Sequence, residues 1–273
     1  MTASASVTRL FHYPVKSLRG IELPAARIEA TGIAFDRQWM VVDEAGRFLT
    51  QRTHPHMARI VPRIDGGVLT LSLAGFPDLT VRPGEGGEIL EVTIWDDFCR
   101  AQSQGHSADE WLSRALGEPV RLARVTEDMG RRASYQYAQD VAAPIGFPDG
   151  FPLLVCSEAS LADLNTRLPQ PMPMERFRPN LVIAGLAPWD EDRIERIVCG
   201  PLALKLVKPC TRCSIPTFDH LSGEPAFNVL RVLKTFRFDH ALHGVTFGEN
   251  AVIERGVGTT LAAGTPCEVS FGS

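Results

Sequence analysis

The segment Lys208-Pro209-Cys210-Thr211-Arg212-Cys213-Ser214-Ile215-Pro216-Thr217-Phe218-Asp219 sets two thiols three residues apart among basic side chains. A thiolate is both nucleophile and metal ligand, and a neighbouring Arg212 or Lys208 favours the ionised form. Soft sulfur selects soft or high-valent metals over magnesium and calcium. A Cys-x-x-Cys pair serves in structural zinc sites, in dithiol redox centres, and as a metal or cofactor ligand, and the spacing alone does not choose among these. Structural zinc needs four closed ligands, and His220 and His243 are the only nearby recruits. A thioredoxin-like centre opens a helix, whereas Pro216 stands where that helix would continue. Two plain core cysteines are disfavoured by Lys208, Arg212 and Asp219, which resist burial without partners.

A second set is basic. Lys16 and Ser17 close Tyr13-Pro14-Val15-Lys16-Ser17, Arg37 sits in Phe35-Asp36-Arg37-Gln38-Trp39, Arg52 follows Thr50-Gln51, and Arg178 lies in Phe177-Arg178-Pro179-Asn180. Guanidinium groups fork onto phosphate oxygens and lysine supplies a compact charge, so these residues could cradle a phosphorylated cofactor. Each alone reads as solvated surface charge, and sequence by itself does not bring them together.

The elements that must position these groups are short. Trp39–Asp43 and Arg47–Thr50 predict one hairpin, and Val68–Leu73 against Leu79–Val81 a second, turned by Ala74-Gly75-Phe76-Pro77. Ser107 with Glu110 predicts a capping box, followed by a helix with Ala108, Trp111, Leu112, Ala115 and Leu116 on one face that ends at Gly117. Residues 126–150 read as a connector or long functional loop, and a domain boundary precedes them. A helix over 158–168 capped by Ser157, strands over 180–183, 196–199 and 202–207, a helix over 227–237 and a strand-and-turn tail follow. The second of the paired strands delivers the cysteine segment at its end. Many short strands and few long helices predict a mainly β fold of barrel-like domains with peripheral helices.

The chain has 273 residues, 44% of them apolar, which is enough for a real core in one large or two modest domains. A net charge of -4 argues against a nucleic-acid surface. No run approaches the roughly 20 apolar residues of a membrane span, and no signal peptide is evident, so the chain reads as soluble and cytoplasmic. Cys99, Cys156, Cys199, Cys210, Cys213 and Cys267 are scattered through a chain too large to need a disulfide framework, and most are expected to be buried as small hydrophobes.

Tyr13-Pro14-Val15-Lys16-Ser17, Asp36-Arg37-Gln38-Trp39, Ser157 through Asn165, Phe177-Arg178-Pro179-Asn180 and Cys210-Thr211-Arg212-Cys213 together resemble the MOSC-domain family, in particular the amidoxime-reducing components and their bacterial homologues. The motifs run in order over nearly the whole chain. The resemblance implies an N-terminal β-barrel-like domain over 1–120 and a MOSC β-barrel domain over 121–273, with a molybdenum cofactor (molybdenum-molybdopterin) in the cleft between them. It implies that Cys213 ligates molybdenum, with Cys210 a supporting thiol. It assigns phosphate and pterin contacts to Lys16, Ser17, Arg37 and Arg178, with Asn180 and Arg212 beside them and Arg52 a weaker addition. It places Asp149 near the metal, where an Asp-Gly turn is the plain alternative.

This chain departs from the pattern at Ser214–Asp219, where relatives are more threonine-rich, and at Gly150-Phe151, where small hydroxylated residues are expected. The implied activity is two-electron reduction of hydroxylamines, amidoximes or N-oxides, releasing water. Proton delivery is assigned to Asp149, with a raised pKa, or to a metal-bound water. No cysteine-rich ferredoxin-like extension accompanies these motifs, so electrons are expected from a separate ferredoxin-like or cytochrome b5-like donor with its reductase. A monomer acting on small molecules, without nucleic-acid or membrane partners, is expected. The alternatives are a persulfide carrier acting through Cys213 and a non-catalytic carrier of the cofactor.

Overall fold

The computed structural model describes residues 1–82, 84 and 87–272. Seven strands close into a barrel in the order Leu153–Ser157, Leu181–Ala184, Thr2–His12, Pro266–Phe271, Ile194–Cys199, Leu202–Thr211, Gly244–Arg255, and the last pairs back onto the first. Only the Leu153–Ser157 and Leu181–Ala184 pair is parallel among these seven. Closure leaves no free sheet edge on the barrel wall. Its interior is filled by Val7, Leu10, Val155, Ile183, Ile197, Leu204 and Val269, all essentially without solvent contact.

The first strand of the chain therefore belongs to this barrel, which is otherwise built from residues beyond 150. Between them the chain forms a half-barrel. An antiparallel sheet runs Trp39–Asp43, Val120–Val125, Asp97–Ser103, Ile89–Ile94, and a three-stranded sheet runs Val61–Asp65, Val68–Ser72, Leu79–Val81. In Val68–Ser72 every second residue is buried, so Leu69 and Leu71 face the core that Trp39, Val41, Leu112 and Leu122 complete. Both expected hairpins are present.

The helix His106–Leu116 buries Ala108, Trp111 and Leu112, and Gly117 ends it at φ 80°. The expected Ser107 cap is a correction: Gly105 occupies the N-cap without a side-chain bond. Asp109 instead accepts from the Leu122 amide at 2.9 Å, tying the helix to its neighbouring strand. Ser157 does cap Glu158–Thr166, accepting from the Ser160 amide. The predicted helix over 227–237 shortens to Val229–Leu233, because Asn228 caps it and the following backbone turns back on Leu233.

A further correction concerns the cysteines. Cys99 and Cys156 are buried free thiols, but Cys199 and Cys267 are disulfide-bonded. Their strands pair Val198 opposite Glu268, which brings the next residues face to face with Cα atoms 4.4 Å apart.

Candidate active site

The strand Leu202–Thr211 runs four residues beyond the predicted end and carries Cys210, still paired to the Gly244–Arg255 strand as far as Thr211 opposite Thr246. Cys213 lies just past it. Both thiols line a cavity of about 150 Å³ that also receives Lys16, Ser17, Arg37, Arg52, Asp149, Arg178, Asn180 and Arg212. Every site residue named from the sequence is thus brought to one concavity, from segments up to about 200 positions apart. Leu153, Leu154, Phe151, Phe177 and Ile215 supply its apolar lining.

Three of these residues occupy left-handed backbone conformations: Ser17 at φ 66°, Arg37 at 47° and Arg178 at 58°. Non-glycine residues are uncommon there, and such strain collects at ligand clamps when the surroundings enforce it. The enforcement is visible. The Tyr13 amide donates to Asp36 at 2.8 Å, the Arg37 amide to the Tyr13 carbonyl at 2.8 Å, and the Lys16 amide to the Trp39 carbonyl at 2.8 Å. Both the Arg37 and Arg178 guanidinium groups lie over the buried Tyr13 ring, at 4.3 and 4.2 Å. Burial brings Arg178 down to about 10. Its side chain donates to the Leu18 carbonyl at 2.8 Å, and Arg37 to Asp36 at 2.5 Å and to Asn180 at 3.0 Å.

Asn180 is 1% exposed and works as a joint. Its side-chain oxygen accepts from the Leu154 amide at 3.1 Å as well as from Arg37, and its amide group donates to the Phe11 carbonyl at 3.2 Å. Three chain segments meet on one side chain, so Asn180 positions Arg37 rather than offering a free hand to a ligand.

Arg212 donates to the Cys210 sulfur at 3.0 Å and to the Phe177 carbonyl at 2.7 Å. Burial works against its charge, but Cys210, Cys213 and Cys156 outweigh it and raise its pKa. Burial pushes the Cys210 thiol up, with Arg212 opposing. The Arg212 Nε is buried without a hydrogen-bond partner.

Asp149 is half-exposed and is gripped by two cations. Lys16, itself 5% exposed, donates to one carboxylate oxygen and to the Phe147 carbonyl at 2.9 Å. Arg52 donates to the other oxygen at 2.7 Å. Desolvation opposes the charge of Asp149, yet Lys16 and Arg52 outweigh it and hold the carboxyl well below the usual carboxylate range. The raised pKa expected of Asp149 belongs to a carboxyl beside an anionic metal centre; among the protein's own groups the direction is the opposite, and Lys16 and Arg52 hold Asp149 as an ionised acceptor at neutral pH.

Sequence reasoning missed Trp95. It sits at the tip of the two-residue turn between Ile94 and Asp97 at φ 55°, donates to Asp149 at 3.3 Å, and receives the Arg52 guanidinium over its ring at 4.7 Å. A bulky residue at a turn position that favours Asn or Gly was the available signal. Arg131 was missed as well. Its side chain is 4% exposed and joins Asp97 at 2.8 Å to the Gly146 and Pro148 carbonyls at 2.6 and 3.0 Å, fixing the loop that carries Asp149. No sequence signal marked that role.

The residues present suit a large anionic cofactor that brings most of its own metal ligands. Five cationic side chains converge, one with an unpartnered buried nitrogen, and a soft thiol opens on the same cavity. Among the described residues no group of three or more His, Cys, Asp or Glu side chains could hold a metal ion, so the soft donors on the cavity are the sulfurs of Cys210, which already accepts from Arg212, and Cys213.

Residues 4–119 match the MOSC N-terminal beta barrel domain and residues 142–268 the MOSC domain. The chain is 32% identical to mitochondrial amidoxime-reducing component 1 of Homo sapiens over 91% of its own length and 79% of that protein. It is equally identical to the same component of Mus musculus, over 91% and 78%. Against mitochondrial amidoxime reducing component 2 of Homo sapiens the identity is 30%, over 80% and 68%. The chain belongs to the MOSC-domain family of which the amidoxime-reducing components are members.

Proposed function

We propose that this protein is a molybdenum-cofactor-dependent reductase of N-hydroxylated compounds, converting an amidoxime to an amidine or a hydroxylamine to an amine with release of water. The observation that carries the reading is the convergence of Cys213 with Lys16, Arg37, Arg52, Arg178 and Arg212 on one cavity, in a chain related to amidoxime-reducing components.

Cys213 is assigned as the thiolate that holds molybdenum. Lys16, Ser17, Arg37 and Arg178 are assigned to the phosphate and pterin, whose charge the cationic set would neutralise in place of water. When bound, the cofactor would supply the two-electron redox chemistry. The chain's part is to bind, orient and balance charge. The Arg37–Tyr13–Arg178 stack and Asn180 fix the floor, while Lys16–Asp149–Arg52 sets an ionic wall. Asp149, held ionised, accepts hydrogen bonds and orients Lys16 and Arg52, so the protons consumed come from solvent or the Lys16 ammonium rather than from its carboxyl.

Electrons are assigned to a separate donor protein. Among the described residues no helix is long and apolar enough to cross a membrane. The test is reduction of benzamidoxime by the cofactor-loaded protein with a reduced viologen dye as donor. Benzamidine formed in proportion to dye oxidised is expected, and dye oxidation with no amidine product would refute the reading.

A further inference from the structure

The ionic wall of the cavity rests on two aromatic rings of the half-barrel. The Lys16 ammonium lies 5.1 Å from the Phe48 ring centroid, and the Arg52 guanidinium 4.7 Å from that of Trp95. Phe48 and Trp95 meet edge to face, with centroids 5.1 Å apart and planes at 67°. Trp95 also donates at 3.3 Å to the Asp149 oxygen that Lys16 holds, while Arg52 takes the other oxygen at 2.7 Å. The contacts close on themselves in the order Lys16, Asp149, Arg52, Trp95, Phe48, so that each cation has one carboxylate oxygen and one aromatic ring. An aromatic face attracts a cation, and more strongly where water is excluded, as at Lys16 with 5% exposure. Lys16, Arg52 and Asp149 line the cavity and neither ring does, so the rings reach it only through the charges they hold.

The turn that carries Trp95 is strained. Of its two central residues Trp95 alone has a positive φ, 55°, at a position that favours glycine. Trp95 is 49% exposed, so burial of the ring does little to offset that strain. On the far side of the turn Asp97 accepts from Arg131 at 2.8 Å, and Arg131 donates to the Pro148 carbonyl, next to Asp149, at 3.0 Å. The hairpin tip is thus fastened to the Asp149 loop at two points. Burial opposes the charge of Arg52, but Asp149 and Cys213 outweigh it and raise its pKa, so the guanidinium that Trp95 carries is also felt by the Cys213 sulfur.

We propose that Phe48 and Trp95 are positioning residues for the anionic ligand of the cavity, holding Lys16 and Arg52 in its wall while touching no ligand themselves. The proposal deepens the cofactor reading and rests on it. It makes the strained turn a device for placing Arg52 rather than for stabilising the fold.

The test is calorimetric binding of inorganic pyrophosphate to the full chain, made in a host that does not synthesise the cofactor, with Tm measured on the same samples. Loss of the ring beside one cation predicts about fivefold weaker binding in Trp95→Gly and in Phe48→Leu. Trp95→Phe keeps a ring for both Arg52 and Phe48 and should bind within about twofold of the native chain. The Tm of Trp95→Gly should stay within about 3 °C of native or rise, because relief of the left-handed strain offsets the lost ring contacts. No pyrophosphate binding by the native chain, unchanged affinity in Trp95→Gly, no rescue by Trp95→Phe, or a Tm of Trp95→Gly below that margin would overturn the assignment. Because neither cofactor nor turnover enters, a chain that shows the expected pattern but forms no amidine when loaded would count against the reductase reading and leave the positioning role standing. One that forms amidine but binds pyrophosphate equally in native and Trp95→Gly forms would do the reverse.

Discussion

Replacing Asp149 by asparagine removes one negative charge from between two cations, and the structure sets the size of the effect. The Lys16 ammonium is almost fully buried and retains the Phe147 carbonyl at 2.9 Å, so it loses one of two partners. A hydrogen bond to such a charge is worth about 1.5–3 kcal/mol, and the Arg52 contact, screened because Asp149 is half-exposed, adds about 0.5–1 kcal/mol. The asparagine oxygen recovers part of both, leaving a net loss of about 2 kcal/mol. For a chain of this size that is a fall in Tm of about 4–8 °C.

The pH dependence follows from the direction of the shift. The folded pKa of Asp149 lies below its unfolded value, so its stabilisation is fully present above the unfolded carboxylate pKa and is lost as pH falls toward the folded one. The gap in Tm between native protein and Asp149→Asn should therefore be constant from about pH 8 to pH 5 and begin to close near pH 4. Thermal melts followed by circular dichroism across that range decide it. A variant as stable as the native protein at pH 7, or a gap that widens below pH 5, would refute the ion-pair account.

The other predictions concern groups on which the fold places strain or burial. Glu249 is 3% exposed with one oxygen unpartnered, and burial, reinforced by Asp192 and Glu191, raises it to about 9. Stability it contributes below its unfolded pKa is lost as pH rises toward that value, so Glu249→Gln should gain on the order of 3 kcal/mol at pH 7 and nothing near pH 4, read by denaturant titration. Gly223 at φ 74° lies against the Pro55 carbonyl, where an added Cβ would stand 2.2 Å away. Gly223→Ala should therefore destabilise by more than about 1 kcal/mol and expose the 219–224 turn to proteolysis. Asn180→Ala leaves the buried Leu154 amide unpaired and frees Arg37, for about 3 kcal/mol lost in denaturant unfolding.

The strands and most helices were legible because alternation and capping are local: Leu69 and Leu71 alternate inward, and Ser157 caps where its spacing says it should. Ser107 failed because the helix begins at His106 behind Gly105, which places Ser107 inside the first turn, and the neighbouring Asp109 is held across the fold by the Leu122 amide, a contact no local pattern encodes. The cysteine segment and the basic set were visible as chemistry, and their convergence was not, since Lys16 and Cys213 meet only through barrel closure. The first strand joins strands from the far end of the chain, and the Cys199–Cys267 bond depends on that same long-range register. The ionised state of Asp149 likewise depends on two cations contributed by distant turns.

The account stands most directly on what Cys213 holds. Molybdenum per chain should be measured by elemental analysis for the native protein and for Cys213→Ala, both made in a host that synthesises the cofactor. The account predicts near one molybdenum per native chain and almost none in the variant. Zinc in place of molybdenum, or equal molybdenum in both proteins, would contradict it.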